Sequence, residues 1–204
     1  VVLFDTVERG LLYPFTKTRP VAGIRFGIFT SNERWEHITG KKIDILTAAY
    51  LQSSVTSLRD EALFINAAVL PNKILLKLLH ELKYNEAVVH ENRIIAFAGS
   101  RNIFNSIEDI AISAFNNIIN YGDDIIYITY PWQLFQYNDK AIRFDFELLT
   151  KGRQSQPISD TNRVIAPENI FIEEGAIVEH AVINASSGPV YIGRNTIVME
   201  GCMI

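Results

Sequence analysis

The chain has only one cysteine, Cys202, among its 204 residues. A lone thiol excludes an internal disulfide framework and suits a reducing compartment, so a cytoplasmic protein is expected. No apolar run approaches the roughly 18 residues that a membrane-spanning helix needs. No basic leader followed by an apolar stretch and a small-residue cleavage site opens the chain, so secretion finds no support. The four histidines, His37, His80, His90 and His180, show neither HxxxH nor HxH spacing. That removes the usual imidazole metal pairs and leaves solvated positions as the expectation. A P-loop and a GxSxG nucleophile turn are both missing.

What remains is globular material, 48% hydrophobic and 21% charged, and long enough for one or two domains. The net charge of −4 is unevenly spread. Residues 1–42 hold seven Lys/Arg (Arg9, Lys17, Arg19, Arg25, Arg34, Lys41, Lys42) against four acids (Asp5, Glu8, Glu33, Glu36), a net of +3, so the rest carries −7. A local positive field on an acidic protein suits a small anion and not a nucleic acid, which wants a broad basic face. The competing explanation is an ordinary solvated surface. Much of this charge falls in PFTKTRP (14–20), with Arg25 close behind.

The C-terminal segment repeats. Ala166, Ile172, Val178, Asn184, Ile192, Val198 and Ile204 follow one another at steps of six, apart from one step of eight around SSGP (186–189). Small residues stand two before this position at Ala176, Thr196 and Cys202, and Gly or Asn fills the turns. A six-residue period of short strand and tight turn predicts a parallel β-helix over 164–204, whose coils stack to share a core. The pattern is still running at Ile204, which reads as a piece of a longer repeat. Cys202 falls on an interior position, where packing accounts for it.

Residues 1–150 alternate between strand and helix signals and predict an α/β sheet domain. VVLFD (1–5) and ALFIN (62–66) read as buried strands. SNERWEHI (31–38) reads as a helix with Ser31 as N-cap, and NKILLKLLHELK (72–83) as a helix with Ile74, Leu75, Leu78, Leu79 and Leu82 on one face. EAVVH and RIIAFA flank Glu91-Asn92 as a hairpin. PWQLFQYNDKAIRFDFELL (131–149) reads as one helix opened by proline. Polar residues 151–163 read as a linker. Trp35 and Trp132 are expected in the core or on a pocket wall, with stacking on a base as the alternative.

Two longer motifs carry a resemblance. LLYPFTKTRPVAGIRFGI (11–28) and NASSGPVYIG (184–193) are similar to sequences of sugar-1-phosphate nucleotidyltransferases that bear a left-handed hexapeptide β-helix. The branch resembled is the divergent Bacteroidetes type of the bifunctional N-acetylglucosamine-1-phosphate uridyltransferase / glucosamine-1-phosphate N-acetyltransferase. VYIGRNTIVMEGCMI (190–204) resembles the repeats of that helix. The resemblance spans both segments and implies a nucleotidyltransferase-like, Rossmann-like sheet domain. It implies transfer between a nucleoside triphosphate and a sugar-1-phosphate, with Mg²⁺. It also implies acetyl transfer from acetyl-CoA and trimerisation through the β-helix of a full-length parent.

By the same resemblance the basic loop lies over the triphosphate and the sugar phosphate. Arg19 and Arg25 are the expected catalytic cations, with Thr16 and Lys17 joining them as phosphate ligands. For Arg19 the alternative is a loop-fixing role on backbone carbonyls. The chain departs from the family pattern at several points. Val21 stands where a lysine follows the proline, Val7–Gly10 replace most of a glycine-rich loop, and Leu11 replaces an arginine. Asn66-Ala67 replaces Gly-Asp and Gln133 replaces an aspartate, which removes carboxylates that would hold Mg²⁺. Asp5, Asp109, Asp123, Asp124 and Asp145 are the available substitutes, and the metal ligands are otherwise open. Two functions follow: a transferase with a rebuilt site, or a catalytically degenerate sugar-nucleotide-binding or scaffolding domain.

Overall fold

The computed structural model describes residues 1–52, 61–101 and 106–204, without the side chain of Asp109. They form two compact units, Val1–Asn138 and Asp139–Ile204. No described helix is long and apolar enough to cross a membrane.

The first unit is built on a six-stranded mixed sheet. Its strands are β1 (Val2–Phe4), β2 (Asp44–Leu46), β3 (Glu61–Asn66), β5 (Glu86–His90), β6 (Arg93–Ser100) and β7 (Asn117–Asn120), in the order β2-β1-β3-β6-β5-β7. A small pair outside it joins β4 (Val69–Leu70) to β8 (Ile126–Tyr127). β1 runs parallel to β2 and β3, whereas β6 is antiparallel to both β3 and β5. Central β1 is apolar at every position and buried on both faces, as a covered parallel strand must be. Alternation then sorts the side chains. Val2, Phe4, Phe64 and Phe97 share one face with Ile107 and Phe115, and the Phe64 and Phe97 rings stack with centroids 4.6 Å apart.

The hairpin expected at Glu91-Asn92 joins β5 to β6, and both residues sit at positive φ, as a two-residue turn matching the strand twist requires. Helix α1 (Ser31–Thr39) begins at the residue expected as its cap. The N-cap is Thr30, because Glu33 stands three residues after it. The Thr30 hydroxyl accepts from the Glu33 amide at 3.2 Å, and the Thr30 amide donates back to the Glu33 carboxylate at 2.7 Å. Gly40 closes the helix at φ 66°. Short α2 covers Ala49–Gln52. Helix α3 (Lys73–Glu81) is capped by Asn72 and buries only Leu75 and Leu79, a narrower face than its leucines suggest. The run from Pro131 forms two helices, α4 (Pro131–Gln136) and α5 (Asn138–Thr150), because Tyr137 leaves the helical region at φ −103°, ψ 4°. Trp35 is in the core, whereas Trp132 is exposed and stacks on Tyr130.

The second unit pairs its short strands in parallel. β9 (Arg163–Ile165) pairs with β12 (Val182–Asn184), β10 (Ile170–Ile172) with β13 (Val190–Ile192), and β11 (Ile177–Val178) with β14 (Ile197–Val198). Partner residues are 19 or 20 positions apart in sequence. Ile172, Val178 and Ile192 point into the shared core, with Ala176 beside them. Asn184 does not. The inward residue of β12 is Ile183, and Asn184 instead accepts from the Ser186 amide to open the turn at the inserted SSGP. Residues 151–163 are bonded along the repeat. The Gln156 amide donates to the Ile172 carbonyl, the Ile172 amide to Ser155 Oγ, and the Ala181 amide to Asn162 Oδ1. Within α5, Arg143 binds Asp139 at 2.9 Å and also donates to the Ser187 carbonyl.

Two measurements test this packing. Phe97→Ala removes a ring from the middle of an aromatic cluster, and denaturant unfolding should show a loss of about 3–5 kcal/mol. In the second unit, Arg153 binds Glu173 at 2.6 Å and the Tyr191 hydroxyl donates to the same carboxylate. The Arg153 bond, against a smaller effect of burial, holds Glu173 below the usual glutamate range. Its stabilisation is therefore present above the ordinary glutamate pKa and is lost as pH falls through the lowered one. Thermal melts of Glu173→Gln across pH 2–7 should show a lower melting temperature at neutral pH and a flatter acid limb than the wild type.

Candidate functional site

In sheets of this kind ligands bind beyond the carboxyl ends of the parallel strands, where backbone leaves the ladder. β1 and β3 end side by side, with Phe4 in register with Asn66. A cleft of about 310 Å³ lies there, and its polar wall is Thr6 and Glu8 after β1, Asn66 at the end of β3, Arg93 at the start of β6, and Tyr127 on β8. Ile94, Ile110 and Ile112 give it an apolar side.

These polar groups form one network. The Arg93 guanidinium binds Glu8 at 3.1 Å and lies over the Tyr127 ring, 5.0 Å from its centroid. The Tyr127 hydroxyl donates to Glu8 at 2.7 Å and accepts from the Asn66 amide at 3.1 Å. Asn66 also donates to the Ile94 carbonyl and accepts from the Ala68 amide, each at 3.0 Å. Its orientation is thus determined on both sides. Burial pushes the Tyr127 phenol well above the usual tyrosine range, and the Glu8 charge adds to the effect. Burial disfavours the Arg93 charge, yet the Glu8 bond holds its pKa above the ordinary value. Glu8 and Arg93 are the cleft's charged wall residues and cancel each other, so the site offers donors and acceptors without net charge. Such a surface suits a polyhydroxylated ring.

None of the four expected residues, Thr16, Lys17, Arg19 and Arg25, lines this cleft. Thr16 is fully buried, and its hydroxyl donates to the Arg9 carbonyl at 2.6 Å, so it fastens the loop. Arg25 donates to the Ile28 carbonyl and lies 3.3 Å from Glu33, which places it on the cap of α1. Both sides of that ion pair are exposed, and its stabilisation is correspondingly small. Lys17 and Arg19 are exposed, and no bond joins either side chain to another described residue. The structure therefore separates the four into two holding groups and two free cations. Spacing could not point to the cleft, because positions 8, 66, 93 and 127 meet only through strand order.

The candidate metal carboxylates are dispersed. Asp5 is fully buried and bonded to Arg9, Thr47 and the Val21 amide. Asp145 is buried on α5, in the second unit. Asp123 and Asp124 are exposed, and the side chain of Asp109 lies outside the described residues. Among the described residues no three His, Cys, Asp or Glu side chains come together as a metal site. The amide oxygen of Gln133 accepts from the Thr129 and Tyr130 amides at 2.7 and 2.9 Å, and so opens α4. The cleft's own carboxylate, Glu8, is engaged by Arg93 and Tyr127. The described carboxylates do not converge on a protein-held Mg²⁺ site, and no step below is routed through one.

The pattern that describes the sugar nucleotidyl transferase family matches residues 1–154. No curated protein matches the chain.

If Glu8 helps to hold the Tyr127 proton, Glu8→Gln should lower the Tyr127 titration toward the ordinary tyrosine range. Ultraviolet phenolate titration, with Tyr127→Phe identifying the transition, measures this directly.

Proposed function

The chain belongs to the sugar nucleotidyl transferase family, and we propose that it joins a sugar-1-phosphate to a nucleoside monophosphate taken from a nucleoside triphosphate. In this reaction a phosphate oxygen of the sugar-1-phosphate attacks the α-phosphorus. The bond to the β-phosphate breaks, pyrophosphate leaves, and a nucleoside-diphosphate sugar forms. All reactants are anionic, so groups that offset negative charge as the transition state develops dominate the barrier.

One observation carries the reading: a polar cleft without net charge stands at the carboxyl ends of β1 and β3, and the loop that follows β1 presents Lys17 and Arg19, two cations unpaired among the described residues. The cleft of about 310 Å³ has room for a hexose with its phosphate. Glu8, Asn66 and Tyr127 are the hydroxyl-reading groups. Lys17 and Arg19 serve the phosphates, Arg19 through its planar fork. Arg25 and Thr16 support the loop and its surroundings and do not bind phosphate in this scheme. The parallel pairs of the second unit support reading it as a left-handed β-helix of hexapeptide repeats. On that reading a longer protein would trimerise through it and transfer an acetyl group from acetyl-CoA.

The dispersed carboxylates favour a second reading, in which the first unit binds sugar nucleotide without turning it over. Pyrophosphate release separates the two. The protein is supplied with Mg²⁺, a panel of nucleoside triphosphates, and N-acetylglucosamine-1-phosphate or glucose-1-phosphate. Release with one pair, reduced about tenfold or more in Arg19→Ala because a charge-assisted phosphate contact is lost, is the expected result. No release with any pair leaves the binding role.

A further inference from the structure

Arg9 is a buried cation that the cleft does not use. Its residue is 7% exposed, and its guanidinium is bonded in three directions. Nε lies 3.1 Å from Asp5, one terminal nitrogen donates to the Tyr50 hydroxyl at 3.1 Å, and the other donates to the carbonyls of Thr16 and Arg19. The Tyr50 hydroxyl in turn faces the carbonyls of Thr16 and Lys17 at 3.3 and 3.2 Å. Thr16 returns a bond to the Arg9 carbonyl, and the Val21 amide donates to Asp5 at 3.1 Å. The backbone carbonyls of 16, 17 and 19 are therefore turned toward Arg9 and Tyr50, while the side chains of Lys17 and Arg19 stay on the solvent side.

We propose that Arg9 is the positioning residue of the PFTKTRP loop, whose buried guanidinium sets the backbone so that Lys17 and Arg19 form one site for a pyrophosphate group. The proposal rests on the reading of that loop as phosphate-binding and extends it. Three-way bonding of this kind needs a planar fork with several fixed donors. A lysine keeps the charge opposite Asp5 but cannot reach a carboxylate, a hydroxyl and two carbonyls together. Arg9→Lys is therefore the informative change, since it avoids leaving the buried Asp5 carboxylate without a cation, which would threaten folding. Tyr50→Phe is a milder one, because it leaves the Asp5–Arg9 pair intact and removes only the hydroxyl.

The test is calorimetric titration of the whole chain with inorganic pyrophosphate, alongside melting temperatures. Wild type should bind, Arg19→Ala should bind more weakly, and Arg9→Lys should lose about tenfold, comparable to one charge-assisted contact. Tyr50→Phe should lose roughly twofold to threefold, the scale of one neutral hydrogen bond. Adding Arg19→Ala to Arg9→Lys should weaken binding little further, because Arg9 acts through the loop cations. A merely structural Arg9 would lower the melting temperature and leave that coupling at zero. The proposal is overturned if Arg9→Lys binds pyrophosphate as the wild type does, if the two losses multiply in full, or if the wild type does not bind. Pyrophosphate binding with this coupling but no turnover would sink the transferase reading alone. Turnover that depends on Arg19 but not on Arg9 would sink this one alone.

Discussion

The ion pair between Asp5 and Arg9 is the contact on which the first unit's functional edge depends. Asp5 is fully buried where β1 ends, and burial pushes its carboxyl above the usual aspartate range. The Thr47 hydroxyl, the Arg9 guanidinium and the Val21 amide oppose that shift. A charge in such a place is costly unless it is paired and fully hydrogen-bonded, and removing one member leaves the other stranded. The pair therefore obliges three separate segments to meet: the end of β1, the residue after β2, and the start of the stretch beyond Pro20. The loop between Arg9 and Val21 has its ends held by this one cluster, and its course over the protein follows from that.

Beside this cluster the sheet's mixed topology creates the cleft. β1, β2 and β3 run in parallel and finish at one edge, while antiparallel β6 starts there. Residues that leave the ladder on three strands therefore face one another across a short gap, and the β4–β8 pair adds Tyr127. The chemistry that results is unlike the charge of the loop. Glu8 and Arg93 neutralise each other, and Asn66 offers an uncharged amide. A cleft of this kind offers fixed donors and acceptors without net charge, whereas the exposed cations Lys17 and Arg19 lie outside its wall.

The second unit follows a different constraint. A two- or three-residue strand cannot bury its apolar side chain alone, so each pairs in parallel with a strand 19 or 20 residues away and shares its core. The inserted SSGP shows how the pattern absorbs an interruption: Ile183 takes the inward position, Asn184 turns outward to bond the Ser186 amide, and Arg143 holds the Ser187 carbonyl. Polar residues 151–163 do comparable service along β10 and β11. Their side chains and amides satisfy backbone groups of residues 172–181.

Periodicity alone determined much of this. The six-residue step from Ala166 marked where short strands form, the unbroken apolar runs of β1 and β3 marked them as buried, and Glu91-Asn92 marked a hairpin. These are local properties, written in side chains two to six positions apart. The helix cap moved from Ser31 to Thr30 only because Glu33 reaches back three residues, and the break at Tyr137 left no mark that proline or glycine would have made. What tertiary structure decided was the use of the charged residues. Thr16 and Arg25 read as ligands through the resemblance of their loop, yet each is bonded within the fold, Thr16 to the Arg9 carbonyl and Arg25 to Glu33. Arg9 carried no signal as the organiser of the loop, since its partners Thr16, Arg19 and Tyr50 are 7, 10 and 41 residues away. Glu8, Asn66, Arg93 and Tyr127 become a site only where strand order brings them together. A sequence records the period of its neighbours, but the pairing of distant charges follows from which strand ends share an edge.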